Sequence, residues 1–259
     1  MLCFFAALLA VDRSVDARGQ LMLGIVTWAV LVGVVRRLPA LPRAQVAVVV
    51  LVASLMEVVG SILWGVYAYR LGNLPMFVPP AHGLVYLAGL HLSRSRLVAA
   101  KQIVFVAAVL VVGLAWMTAG LTILPRQDVA GTIGLATFAL VVLCSRARAT
   151  YCGVFLAVAA LEWYGTALGT WQWAETIPGL GLPDGNPPSG VASGYVLFDV
   201  AALAFAPRLL GLVERGQAWA CSTMPLGWLL ELDWKPSGQS PSAPDLEVSS
   251  ASSLAQATS

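Results

Sequence analysis

Residues 162–199 read EWYGTALGTWQWAETIPGLGLPDGNPPSGVASGYVLFD. An acidic residue, Glu162, stands inside an apolar helix that goes on through Gly165 and Gly169 to Trp171 and Trp173. A Pro/Gly/Asn loop containing Asn186 follows, and a second apolar helix then carries Asp199. A charge that interrupts a long apolar run is costly in hydrocarbon and faces a protein interior or a polar cavity. This stretch therefore predicts two helices packed around an acidic site.

An earlier copy runs from Glu57 through Gly60, Trp64, Tyr67 and Tyr69 to Pro79, Pro80, His82 and Tyr86. Glu57-Val-Val-Gly60 matches Glu162-Trp-Tyr-Gly165, 105 residues further on, and each outer loop ends in a Pro-Pro pair, Pro79-Pro80 or Pro187-Pro188.

The whole chain agrees with a membrane setting. Of its 259 residues, 59% are hydrophobic and 11% charged, with a mean hydropathy of +0.82, against about 25% charged in soluble proteins. A net charge of +2 with scattered arginines excludes a nucleic-acid partner. The four cysteines, Cys3, Cys144, Cys152 and Cys221, have no CxxC spacing and are expected to be buried free thiols.

Residues 1–19 form an N-terminal stub or partial helix, since the apolar run meets Asp12 well before the roughly 20 residues a crossing needs. Seven spans are predicted at 20–35, 44–69, 79–92, 98–120, 129–144, 150–173 and 189–213. The third is short and requires tilt or bilayer thinning. Arginines and lysines crowd every second connection, with Arg36, Arg37 and Arg43 in one, Arg94, Arg96 and Lys101 in the next, and Arg146 and Arg148 in a third. That alternation places these loops, and the tail from Glu214, in the cytoplasm. Residues 214–235 are expected to lie along the interface and 236–259 to form a disordered cytoplasmic tail.

Both acid-bearing helices then point the same way, so the repeat is parallel, with 20–97 matching 129–213 and 98–128 as connector helix and loop. The expected fold is an all-α polytopic membrane protein of seven transmembrane helices, or eight if the stub counts. Such repeats place their site between the halves at mid-depth. Helical counting from Tyr69, Trp173 and Ser189 puts Glu57, Glu162 and Asp199 in one layer, roughly 15 to 18 Å below the outer surface.

Apolar burial disfavours the charged form of a carboxyl. A protonated carboxyl in a dry aromatic pocket is a general acid toward a carbon–carbon double bond or an epoxide, whereas one facing water is a proton relay. Glu162, Glu57, Asp199 and His82 are the candidate catalytic residues. Trp64, Trp163, Tyr164, Trp171 and Asn186 are the candidates for substrate contact. The competing explanations are carboxyls acting as interhelical glue, an aromatic belt for Tyr69, Trp171 and Trp173, an interfacial His82, and helix packing for Gly165-x-x-x-Gly169 and Gly190-x-x-x-Gly194. No motif calls for a cofactor, and the two histidines, His82 and His91, are too far apart in sequence to suggest a metal set.

The passage from Glu162 to Pro183, with Thr170-Trp171-Gln172-Trp173 and Ile177-Pro178-Gly179-Leu180-Gly181-Leu182-Pro183, resembles the repeat unit of small bacterial carotenoid-modifying membrane proteins, the heterodimer-type lycopene cyclases and carotenoid hydratases. The cyclases carry two glutamates after the corresponding proline, where this chain has Asp184-Gly185-Asn186. The lone acids in apolar helices also look like those of membrane-bound terpene cyclases. These resemblances imply a membrane lipid or isoprenoid substrate. A proton-coupled transporter and a structural membrane subunit remain alternatives, and self-association into a homo-oligomer is left open.

Overall fold

A computed structural model describes residues 1–223, and side chains as far as Arg215. The expected tail 236–259 and most of the expected interfacial segment 214–235 lie outside the described residues. The protein is mostly helical, at 73%. Nine helices are described: α1 (Leu2–Asp12), α2 (Ala17–Val35), α3 (Ala40–Glu57), α4 (Val78–Ser93), α5 (Arg96–Ala100), α6 (Gln102–Thr122), α7 (Val129–Cys144), α8 (Arg148–Leu168) and α9 (Ala192–Thr223). A π-helical segment, Val58–Trp64, extends α3, and two short strands follow the acid-bearing helices, β1 (Tyr67–Tyr69) and β2 (Trp171–Trp173).

Five helices are long and apolar enough to cross a membrane: Ala17–Val35, Ala40–Trp64, Gln102–Thr122, Arg148–Leu168 and Ala192–Arg215. Their outward side chains are apolar, as at Ile103, Leu63 and Leu212, which suits a lipid-facing surface. Two shorter apolar helices are α1 and α7.

The shortest expected span is the centre of the bundle. α4 packs against α2, α3 and α8, and ten of its residues are buried, from Val78 to Leu90. Pro79 and Pro80 open it, where their missing N–H groups cost nothing. At the crossing with α8, a Cβ on Gly89 would fall on the backbone of Val154, and one on Gly153 would meet the Gly89 carbonyl. These two glycines allow the backbones to touch.

The acid-bearing helices stop short of their expected ends. Gly65, with φ 74°, closes the π segment and Gly169, with φ 71°, closes α8. A left-handed glycine at a helix C-terminus turns the chain out of the helical path. Tyr67–Tyr69 and Trp171–Trp173 then pair antiparallel, Tyr67 with Trp173 and Tyr69 with Trp171. The expected spans 44–69 and 150–173 are therefore each a helix followed by a returning strand. Glu162 sits six residues, about 9 Å, from the end of α8 rather than 15 to 18 Å below an outer surface.

Cys152 is buried, but Cys3 and Cys144 are exposed, so the expectation of buried thiols fails for two of the three cysteines described. α9 continues as one helix to Thr223, past the expected boundary at Val213.

The loop beyond β2 is fixed by Asp128, which is buried. It accepts from the N–H groups of Gly131 at 3.1 Å, Gly185 at 3.1 Å and Ser189 at 2.7 Å, so one carboxylate caps α7 and ties down residues 185–189. Asp184 is buried beside it, and burial together with the Asp128 charge pushes its pKa up to about 7. A second tie, at the other end of the paired strands, joins Arg70 to the carbonyl oxygens of Asp12 and Val15, while Gln20 donates to the buried Asp12 carboxylate at 2.9 Å.

Two stability predictions follow from the loop. Asp128→Ala orphans three backbone donors at about 1 kcal/mol or more each, and should lower the melting temperature in detergent sharply. For Asp184 the folded pKa lies above the unfolded value, so wild-type stability should fall as pH rises from about 4 through about 7. Asp184→Asn removes that penalty. Its melting temperature should exceed the wild type's at pH 8, with the gap narrowing towards pH 4.

Candidate functional site

Carboxyls held in an apolar bundle need donors, and the two strands supply them. Side chains alternate along a strand, so Tyr67, Tyr69, Trp171 and Trp173 share the inner face of the β1–β2 ribbon while Ala68 and Gln172 are exposed. Tyr67 and Tyr69 donate to Glu57 Oε2 at 2.8 and 2.7 Å. Trp171 and Trp173 donate their indole N–H groups to Glu162 Oε2 at 2.9 and 3.1 Å. The aromatic belt expected at Tyr69, Trp171 and Trp173 is instead a donor set turned inward.

His82 is buried, not interfacial. Its Nε2 lies 2.8 Å from Glu57 Oε1, so the two share a proton. Glu57 thus has a partner on each oxygen and three in all. Glu162 differs, because both indoles converge on Oε2 and no donor among the described residues reaches Oε1.

These groups wall a cavity of about 230 Å³ whose lining includes Glu57, His82, Glu162, Trp171, Trp173 and Tyr195. Phe5, Leu8 and Leu9 of α1 close one side, and Trp64 and Phe198 contribute further aromatic surface. The π-helical widening begins at the residue after Glu57 and brings Val59 and Gly60 to the lining. π segments inside helices recur at functional sites.

Of the remaining sequence candidates, only Trp64 borders the cavity. Trp64 lines the cavity but is exposed at its other edge, and its indole donates to the Pro178 carbonyl at 2.9 Å. Trp163 points outward against Trp116, with ring centroids 5.5 Å apart. Tyr164 is exposed and donates to the Ala6 carbonyl at 3.3 Å, pinning α1 to α8. Asn186 supports the ribbon from behind: its Oδ1 accepts from the Trp173 N–H at 3.1 Å, while Arg126 donates to the Trp173 carbonyl at 2.8 Å. Asp199 is buried on α9, one helical turn beyond Tyr195, and is not among the cavity-lining residues.

Neither glycine pair acts as a simple helix-packing motif. Trp171 lies over Gly165, where a Cβ would strike its ring, and Gly169 is the left-handed cap. Gly190 meets the Gly131 carbonyl, whereas Gly194 has no neighbour within 4 Å of an added Cβ and opens on the cavity.

Sequence reading did not foresee Tyr67 and Trp173 as donors to the acids, and it did not single out Tyr195 or Asp128. For the first two, the Tyr-Ala-Tyr and Trp-Gln-Trp alternation after a glycine was the available signal, since a period of two marks a strand. Among the described residues, no group of three or more His, Cys, Asp or Glu side chains is placed to hold a metal ion.

Compared with protein-family models, curated proteins and solved structures, the chain matches none of them.

Gly60 and Gly165 predict opposite tolerances. An Ala Cβ at Gly60 would meet Tyr67 at 3.1 Å, which a small ring shift relieves. At Gly165 the Trp171 ring must leave, and breaking its buried hydrogen bond to Glu162 costs about 1–3 kcal/mol against about 1 kcal/mol gained in helix propensity. The indole N–H resonance of Trp171 should shift markedly in Gly165→Ala and hardly at all in Gly60→Ala.

Proposed function

We propose that this chain is an integral membrane enzyme that acts on an isoprenoid or another apolar lipid by carboxyl general-acid chemistry. The observation that carries the reading is Glu162. One of its oxygens is fixed by two indoles, the other has no donor among the described residues, and the carboxyl faces an apolar aromatic cavity across from Glu57 and His82.

In this reading Glu162 Oε1–H gives its proton to a carbon of the substrate double bond, and the carbon pair electrons form the new C–H bond. The carbocation left behind is stabilised by the faces of Tyr67, Trp173 and Tyr195. The Glu57–His82 pair then takes a proton, either from the neighbouring carbon or from a water that adds to the cation, and Glu162 regains one from water that enters the cavity as product leaves. No redox partner is needed.

The resemblance of residues 162–183 to carotenoid-modifying proteins supports an isoprenoid as substrate. The wider architecture proposed is a multi-pass protein of the cell membrane with seven or eight crossings, a parallel repeat and a cytoplasmic C-terminus. Two features support the repeat: both acid-bearing helices end on a left-handed glycine, and both lead into a three-residue strand of alternating aromatics.

Mass spectrometry of small molecules retained by the purified protein tests the reading. A polyisoprenoid should accompany both wild type and Glu162→Gln, unconverted in the variant, with turnover reduced about 10²-fold or more. Bulk phospholipid alone on both forms would sink it. Proton-coupled uptake by liposomes would then point to a transporter, and full tolerance of Gln to a structural subunit.

A further inference from the structure

Three buried polar atoms along one seam of the bundle have no partner among the described residues: His82 Nδ1, Tyr86 Oη and Asp199 Oδ2. His82 and Tyr86 are one turn apart on α4, and Tyr195 and Asp199 one turn apart on α9. The His82 and Tyr195 rings meet at 5.0 Å. The His82 ring also meets that of Phe198, the residue before Asp199, at 5.7 Å. Asp199 lies within electrostatic reach of the hydroxyls of Tyr86 and Tyr195.

Buried polar groups are nearly always paired, with protein or with ordered water, and a buried water needs two to four polar partners. The orphaned carboxyl, phenol and imidazole atoms provide such a set between the cavity and the far end of α4. Beyond them, Tyr86 is in electrostatic reach of Tyr151. Ser93, which shares the helix face of His82 and Tyr86 at i+11, sits 3.4 Å from the Thr150 hydroxyl next to exposed Arg94.

We propose that His82, Tyr86 and Asp199 hold a chain of ordered water between α4 and α9 that exchanges protons between the Glu57–His82 pair and the Arg94 end of the bundle. Each water or hydroxyl takes a proton on one side and releases one on the other. His82 accepts at Nδ1 and gives up the Nε2 proton to Glu57 Oε1, or the reverse. One proton moves and nothing is oxidised or reduced. Asp199 and Tyr86 are positioning residues, because neither lines the cavity.

The catalytic use of this route rests on the enzyme reading, but its existence does not, since proton exchange at His82 needs no substrate. The test uses full-length protein labelled with ¹⁵N-histidine in lipid nanodiscs, with His91→Gln leaving a single histidine signal. Exchange of the His82 ring proton with water should be fast in the parent. It should slow roughly tenfold or more in Tyr86→Phe, and likewise in Asp199→Asn.

Unchanged exchange in either variant would mean that protons arrive through the cavity, which overturns the proposal. Faster exchange, the mark of a loosened bundle, overturns it too. Tyr86→Phe removes one oxygen only and keeps the packing, and an hours-long exchange time in the parent protein would by itself rule the route out. If the route is found while no isoprenoid is retained, the enzyme reading falls and the proton path remains.

Discussion

A carboxyl inside an apolar bundle has to be given hydrogen-bond donors, and the architecture around Glu57 and Glu162 answers that demand. The donors come from the chain immediately downstream of each acid, folded back by a left-handed glycine and locked by strand pairing. Gly165 stays bare because the Trp171 ring occupies the place of a side chain. Behind the ribbon, Asn186 and Arg126 satisfy both backbone groups of Trp173, and Asp128 fixes the loop that carries Asn186. Each tier exists to keep the one in front of it rigid, the arrangement that a preorganised site requires.

The two acids are built alike but loaded differently. Glu57 receives a histidine and two phenols, distributed over both oxygens. Glu162 receives two indoles on a single oxygen. A phenol or imidazole can pass a proton on, whereas an indole N–H is a donor only. The Glu162 side can therefore hold its carboxyl without exchanging protons with it, while the Glu57 side is in contact with groups that can pass a proton on. That chemical contrast comes from the substitution of Tyr67 and Tyr69 in one segment by Trp171 and Trp173 in the other.

Hydropathy made most of the helices legible, because long apolar runs with few charges have one economical structure in lipid. Their ends were misread for an equally physical reason. Tyr67–Tyr69 and Trp171–Trp173 are apolar enough to extend a helix, and only their pairing with each other, across about 100 residues, makes them strands. Glu57 and Glu162 were conspicuous as lone charges. Asp128 was not, since a loop aspartate before a helix looks like an ordinary cap, and its two further backbone partners are about 60 residues away. Likewise His82 beside Pro79 and Pro80 suggested an interface, and burial followed only from α4 lying at the centre of the bundle.

The ribbon has a further consequence for how the cavity answers to whatever fills it. Tyr69 stands opposite Trp171, and Tyr67 opposite Trp173 with their rings 4.7 Å apart. The donors of one acid are thus the cross-strand neighbours of the donors of the other. A guest that displaces an indole from Glu162 pushes on the phenols at Glu57, and proton uptake at Glu57 that moves a phenol pushes back. Two events joined in this way are thermodynamically linked, and linkage is symmetric: whatever occupancy at one wall does to the other, the other returns by the same factor. A three-residue sheet sets the donors of the two acids side by side.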